Sequence, residues 1–359
     1  MSTSIPERPE NITPDHLTRA FAASHPGAEA LNVEILDAHS GTTGRARLKL
    51  RWKQDVGAPE HVFAKLAPTD EIQRQMVIAT GMGKREARFY AELAQDVPVR
   101  VAAPYFAEWN EDGTAYLMLI EDLAAAGCSF PSWKDAELPQ YAAWMMDSLA
   151  QLHAGFWDSP RFATDLAWID APMRAEVGPL LVRSALEQFA GEMPTEFRAL
   201  GELYVEHVEP LSDLLDAGPQ TLLHGDSHLG NLFLESQRIG LLDWACTCRG
   251  PGIRDVAYFL CNSVPSELRR DNERAWLERY LTGLAAHGAP VLAGKDAFDD
   301  AFDRYRRLAV TAWVAASATA AAGSRMQAIE IGMRSMKRAT DAIIELGTID
   351  LLRDELGLS

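Results

Sequence analysis

Up to about residue 123, apolar residues recur in short runs that alternate with polar ones, at 33–37, 46–52, 61–67, 101–107 and 114–120. Alternation with a period of two is the signature of a half-buried strand. One segment of helical spacing, 83–94, interrupts the runs. Past residue 125 the period changes. Tyr141, Met145, Leu149, Leu152 and Phe156 recur every three or four residues and make one apolar helix face. Further helices fit 174–190, 195–216, 267–286, 297–321 and 325–346, and one strand-rich island, 221–243, lies among them. The pattern predicts an α+β chain with a small β-rich lobe, 1–123, and a large helical lobe, 124–359. The longest apolar run, 308–323, is Ala-rich and carries Thr311, Ser317 and Thr319. It is shorter than the roughly 18 residues of a membrane span and reads as a buried helix.

Charge narrows the function. The chain has 359 residues, with 34 Lys and Arg against 51 Asp and Glu, a net charge of −17. Such a chain repels phosphate backbones and anionic bilayers, which argues against nucleic-acid or membrane partners. The densest basic runs, 45–53 and 304–307, are short. The N-terminus, MSTSIPERPENITPD, lacks the apolar core of a signal peptide. Four cysteines at 128, 246, 248 and 261 make no disulfide framework, and the Cys246–Cys248 spacing is too tight for a zinc pair. The expectation is a cytoplasmic protein with reduced thiols; the oligomeric state is not readable.

The island, TLLHGDSHLGNLFLESQRIGLLDW, concentrates the chemistry. Two apolar runs flank Glu235-Ser236-Gln237-Arg238, which is a hairpin signal. A turn centred on Gln237 sets Asn231 opposite Asp243. An amide oxygen and a carboxylate side by side suit magnesium, which needs few protein ligands. Asp226 lies in the preceding loop, where an acid can orient a hydroxyl nucleophile. The residues alone fit equally a polar hairpin with turn aspartates.

HGDSHLGN resembles the H-G-D-x-x-x-x-N catalytic loop of the aminoglycoside phosphotransferase and choline kinase-like family, small-molecule relatives of the protein kinases. LLDW resembles the metal-binding aspartate motif of that family, and RDVAYFL the segment after it. The resemblance covers roughly residues 35–270. It implies a bilobal protein-kinase-like fold, ATP and Mg2+ as cofactors, Asp226 as catalytic base, Asn231 and Asp243 as metal ligands, and Asp255 as a brace for the loop. VFAKLA fits the strand of the phosphate-binding lysine, so Lys65 would grip the nucleotide and Phe63, on the same face, would lie near adenine. Glu86 falls on the helix stripe of Phe89, Tyr90 and Leu93, whereas Glu92 sits with Arg88. A glutamate on an apolar stripe needs a cation, so Glu86 is the expected partner of Lys65. LMLIEDL resembles the hinge, with adenine near Glu121 and Leu123, and 39–44, with Ser40, Gly41 and Thr42, occupies the place of the phosphate-covering loop. LAQLHAGFW resembles the helix beneath the catalytic loop, with His153 read as a core histidine outside any constellation. Trp244 stands where protein kinases carry Phe-Gly, and no A-P-E-like segment follows it.

The function so implied is ATP-dependent phosphorylation of a small alcohol. The alternatives are an aminoglycoside or choline/amino-alcohol kinase, a protein kinase, and a pseudokinase that binds nucleotide without catalysis. A neutral, partly apolar acceptor is expected. The acidity is spread evenly, net −5 over 1–123 and −12 over 124–359. Phe130, Trp133, Trp144, Trp157 and Trp168 offer aromatic walls. The stretch 243–260 resembles the ecdysteroid-kinase-like branch.

Overall fold

A computed structural model describes residues 4–172, 174, 177–291, 294–323 and 329–358. The elements run α1 (Pro14–Phe21), β1 (Ala30–Ser40), β2 (Gly44–Trp52), β3 (His61–Leu66), α2 (Glu71–Thr80), α3 (Met82–Glu92), β4 (Arg100–Val101), β5 (Pro104–Trp109) and β6 (Tyr116–Glu121). Then come α4 (Leu138–Gly155), α5 (Val177–Phe189), α6 (Thr195–Glu206), α7 (Val208–Asp216) and β7 (Thr221–Leu223). The rest is β8 (Leu232–Glu235), β9 (Arg238–Leu241), β10 (Cys248–Gly250), α8 (Ile253–Ser263), α9 (Ser266–Ala286), α10 (Lys295–Ala322), α11 (Ile329–Glu345) and α12 (Thr348–Leu356). The chain is α+β and its contacts form two compact units. The first runs to Phe130 and includes Phe233–Cys246; the second is Pro131–Leu232 with the chain from Thr247 onward.

In the first unit β1-β2-β3-β6-β5 form an antiparallel sheet. Alternation divides its faces. Leu48, Leu50, Val62, Ala64, Leu66, Leu117 and Leu119 are buried with Leu17 and Phe21 of α1. The opposite face carries Arg45, Arg47, Phe63 and Lys65, in the register Arg45↔Lys65 and Arg47↔Phe63. There α3 packs on β5 and β6. Gly83 permits this approach, because a Cβ on it would stand 2.0 Å from the Tyr116 ring. The expected strand 101–107 is instead two pieces. β4 pairs in parallel with β9, and β5 starts afresh at Pro104, which has no N–H to continue a ladder.

The second unit is helical. α8, α5 and α11 pack on α10, and α4 packs on α9. The Ala-rich run lies within α10, where Tyr305, Trp313 and Ala309 are fully buried. No helix among the described residues is long and apolar enough to cross a membrane. The helix expected over 195–216 breaks at His207, because Pro210 can neither donate to the preceding turn nor fit against it. The expected helix start at 325 lies outside the described residues.

Candidate active site

Each unit holds part of the predicted machinery. In the first, α3 turns Glu86 inward, where it is fully buried, and β3 turns Lys65 toward it. Lys65 Nζ lies 2.5 Å from Glu86 Oε1 and 3.3 Å from Asp243 Oδ1. Arg45 Nη2 lies 3.5 Å from the other Asp243 oxygen. Burial drives the Glu86 carboxyl above the ordinary range, although Lys65 opposes it. Glu92 pairs with Arg88 at 2.8 Å on the outer face. Asp243 has φ +65, a left-handed backbone that strains a non-glycine residue. Its neighbours are pinned to α3: the Trp244 ring stacks on Phe89 with centroids 4.2 Å apart, and Arg85 donates to the Ala245 carbonyl at 3.1 Å.

Beside these charges lies a cavity of about 270 Å³. Phe63, Ala102, Ile120, Leu123, Phe130 and Leu242 give it apolar walls, and Lys65, Arg45 and Arg47 supply cations. Glu121 and Leu123, at the expected hinge, both line it. The Glu121 carboxylate is engaged by Arg100 at 2.7 Å and by the Ala103 N–H at 3.0 Å, which fixes its side chain at the end of β6. Ser40, Gly41 and Thr42 form the β1–β2 turn. Ser40 Oγ accepts from the Thr69 N–H at 3.3 Å, and Gly41 N–H donates to Thr43. Arg45 and Arg47 were not foreseen here. Their signal was the alternation within GRARLKLRW, opposite the strand that places Lys65. Arg47 Nε donates to the buried Asp122 at 2.8 Å.

The second unit holds the residues of the expected catalytic loop. Asp226 Oδ1 accepts from the Tyr258 hydroxyl at 2.7 Å, and Oδ2 accepts from Asn231 Nδ2 at 3.0 Å. Asn231 also donates to the Asp226 carbonyl at 2.9 Å, which leaves its amide oxygen to offer a cation. Gly225 supplies the φ of +81 that turns the loop ahead of Asp226. Asp255 holds this turn from below. It accepts from the backbone N–H of His224 at 2.7 Å and of Gly225 at 3.0 Å. His153 Nε2 lies 3.3 Å from Asp255 and its Nδ1 lies 2.9 Å from the Tyr280 hydroxyl. His153 is buried as expected, but it does belong to a constellation: it backs the acid that braces the loop. Asn231 sits in a single 3-10 turn, Leu229–Asn231, not in a strand, and the hairpin turns on Ser236 and Gln237 with Ser236 at φ +58. The expected pairing about Gln237 is therefore corrected: a two-residue turn shifts the axis toward Ser236. None of the four cysteines is in a disulfide, and no cluster of three metal-ligating His, Cys, Asp or Glu occurs among the described residues.

Residues 55–321 match the model of a phosphotransferase enzyme family. No curated protein matches the chain. Among solved structures it is similar to a candidate aminoglycoside phosphotransferase from Ralstonia eutropha JMP134, at 16% identity and a TM-score of 0.55 over 92% of this chain and 98% of that one. It is also similar to an ethanolamine kinase from Plasmodium vivax, at 11% identity and 0.52 over 86% and 81%, and to a choline kinase from Cryptosporidium parvum, at 11% and 0.51 over 91% of both. Identities this low speak for the fold alone.

Proposed function

The chain belongs to the phosphotransferase enzyme family, and from that premise we propose that it moves the γ-phosphoryl group of ATP onto the hydroxyl of a small, partly apolar alcohol. One observation carries the reading. Asp226 has both carboxylate oxygens fixed, by Tyr258 and Asn231, yet keeps 30% of its side chain exposed to meet an incoming hydroxyl. An acid held this firmly and left open would suit proton transfer from a hydroxyl, which supports the reading.

The chemistry of the first unit's cavity fits a nucleotide. Apolar walls suit a planar base, and the cationic end suits phosphate oxygens. Bound ATP and magnesium would supply the phosphoryl donor and neutralise its charge. Lys65, steadied by Glu86, would bind phosphate oxygens. Asp243 would offer a carboxylate oxygen and Asn231 an amide oxygen to magnesium, whose remaining sites take water and phosphate. Asp226 would orient the acceptor hydroxyl and take its proton as the new O–P bond forms and the bond to the departing diphosphate breaks. A pseudokinase reading lacks support, since lysine, acid and both metal oxygens are all present.

The test is Asp226→Asn. Phosphoryl transfer, followed as ADP release over a panel of alcohols, should fall about 100-fold or more. Nucleotide affinity by calorimetry should stay near that of the wild type. Chelation should stop turnover and added magnesium should restore it. Full activity in the variant would sink the mechanism.

A further inference from the structure

A second groove lies wholly within the second unit. Phe189 and Met333 give it an apolar floor, and Arg334 and Arg338 of α11 border it. Both arginines sit over one ring. The Arg334 guanidinium carbon is 4.2 Å from the Trp133 centroid and that of Arg338 is 5.5 Å away. Trp133 keeps 37% of its surface exposed, and Lys134 Nζ also lies 5.4 Å from its centroid. A guanidinium that stacks by its face still has its N–H donors along its edge, free to meet a planar anion two at a time. Arg338 gives one of these donors to the Ser263 carbonyl at 2.9 Å.

Neither arginine forms an ion pair among the described residues, although the chain carries a net charge of −17. Burial first, and then the neighbouring Arg334, lower the Arg338 guanidinium to about 10. Three acids share the groove's lining with the two arginines and Lys337. Asp341 accepts from the Ser266 hydroxyl at 2.7 Å, and Glu192 and Glu330 stand exposed on the groove's lining. Ser263 also ties the pair to the catalytic loop. Its hydroxyl accepts from the backbone N–H of Leu229 at 2.9 Å, three residues past Asp226.

We infer that the groove bordered by Arg334 and Arg338, which lie against Trp133, binds the non-reacting end of the acceptor, and that this end is a carboxylate on an apolar or aromatic body. Arg334 and Arg338 would take the carboxylate through charge-assisted hydrogen bonds while Trp133, Phe189 and Met333 cover the body. The inference rests on the phosphotransferase reading and replaces the neutral end expected from composition.

Three matched probes test it on the full chain: ω-hydroxydecanoate, decanediol and aminodecanol, which differ only in the charge at the end away from the hydroxyl. Calorimetry without nucleotide should show the acid binding at least about tenfold tighter than either of the others, with the preference eroded by salt. Arg334→Gln with Arg338→Gln should abolish the preference, and Trp133→Leu should weaken the acid and the diol alike. Equal affinities, a preference for the diol or the amine, or no binding of the acid at millimolar concentration would overturn the inference, and that comparison needs no variant. ADP release with the same probes separates the two readings. Binding of the acid with no transfer to any probe would overturn the catalytic reading and leave the anion site standing. Transfer to the diol or amine in preference to the acid would do the reverse.

Discussion

Replacing Asp255 by Asn would show how the loop that carries Asp226 is held. The Asp255 carboxylate is 1% exposed and accepts two backbone N–H groups, from His224 and Gly225. Burial pushes its carboxyl up, but His153 and the His224 N–H hold it below the ordinary range. It is therefore an ion at neutral pH, and both loop bonds are charge-assisted. Asn keeps one acceptor oxygen and puts an NH2 in place of the other, so one loop N–H loses its acceptor and faces a donor. A lost charge-assisted bond costs about 1.5–3 kcal/mol. With the buried mismatch added, the cost rises to ~3–5 kcal/mol. At roughly 2–4 °C per kcal/mol for a unit of this size, Tm should fall by about 6–20 °C. The sign with pH follows from the lowered carboxyl. Its stabilisation is present above the unfolded value, about 3.9, and is lost as pH falls through the folded value. The gap between wild type and variant should therefore close as pH falls below about 4. Thermal unfolding by circular dichroism across that range, with kcat on the same samples, measures both effects. A variant that melts like the wild type at neutral pH, or a gap that widens in acid, would refute the brace.

Two smaller changes probe the first unit. Glu86→Gln removes a buried carboxylate whose charged form burial disfavours, while Asp243 remains at 3.3 Å to balance Lys65. Stability should move by no more than about 1 kcal/mol, while nucleotide Kd rises about tenfold, equivalent to 1.4 kcal/mol; unchanged Kd by titration would show that Glu86 does not position Lys65. Gly83→Ala drives a methyl to within 2.0 Å of the Tyr116 ring, so α3 must lift from β6. An overpacking cost of about 1–3 kcal/mol should appear as a lowered denaturant midpoint together with weakened nucleotide binding, and a wild-type midpoint would mean that the ring simply swings away.

The alternation of two, and its change to helical spacing, sufficed to place β1–β3, β6 and most long helices, because those elements bury one continuous face. The helical stripe likewise singled out Glu86, and the strand period singled out the face of Lys65. Other features escaped. α1 and α2 are short, and their evidence was local: Thr13 accepts from the His16 N–H at 3.2 Å ahead of Pro14, and Asp70 accepts from the Gln73 N–H at 3.0 Å. Those caps were present in the sequence as helix starts, but neither helix shows a long apolar stripe. Arg45 and Arg47 read only as part of a short basic run, since their placement beside Lys65 and Phe63 depends on which strand pairs with theirs. The partnership of His153 with Asp255 joins residues 102 positions apart, and a single sequence carries no trace of such a contact.

The first unit is finished late in synthesis. Its strand β4 finds its partner β9 through Arg100↔Gly240 and Val101↔Leu241, and Arg100 meets Glu235 at 2.9 Å. About 100 residues of the second unit are translated between Phe130 and Phe233, which at about 5–20 residues per second takes roughly 5–20 s. During that interval the nascent unit has neither the β8–β9 hairpin nor Asp243 opposite Lys65. A gene fragment ending near residue 130 would therefore yield an incomplete body prone to aggregate, and a minimal soluble version of this unit would have to carry residues 233–246 grafted after Phe130.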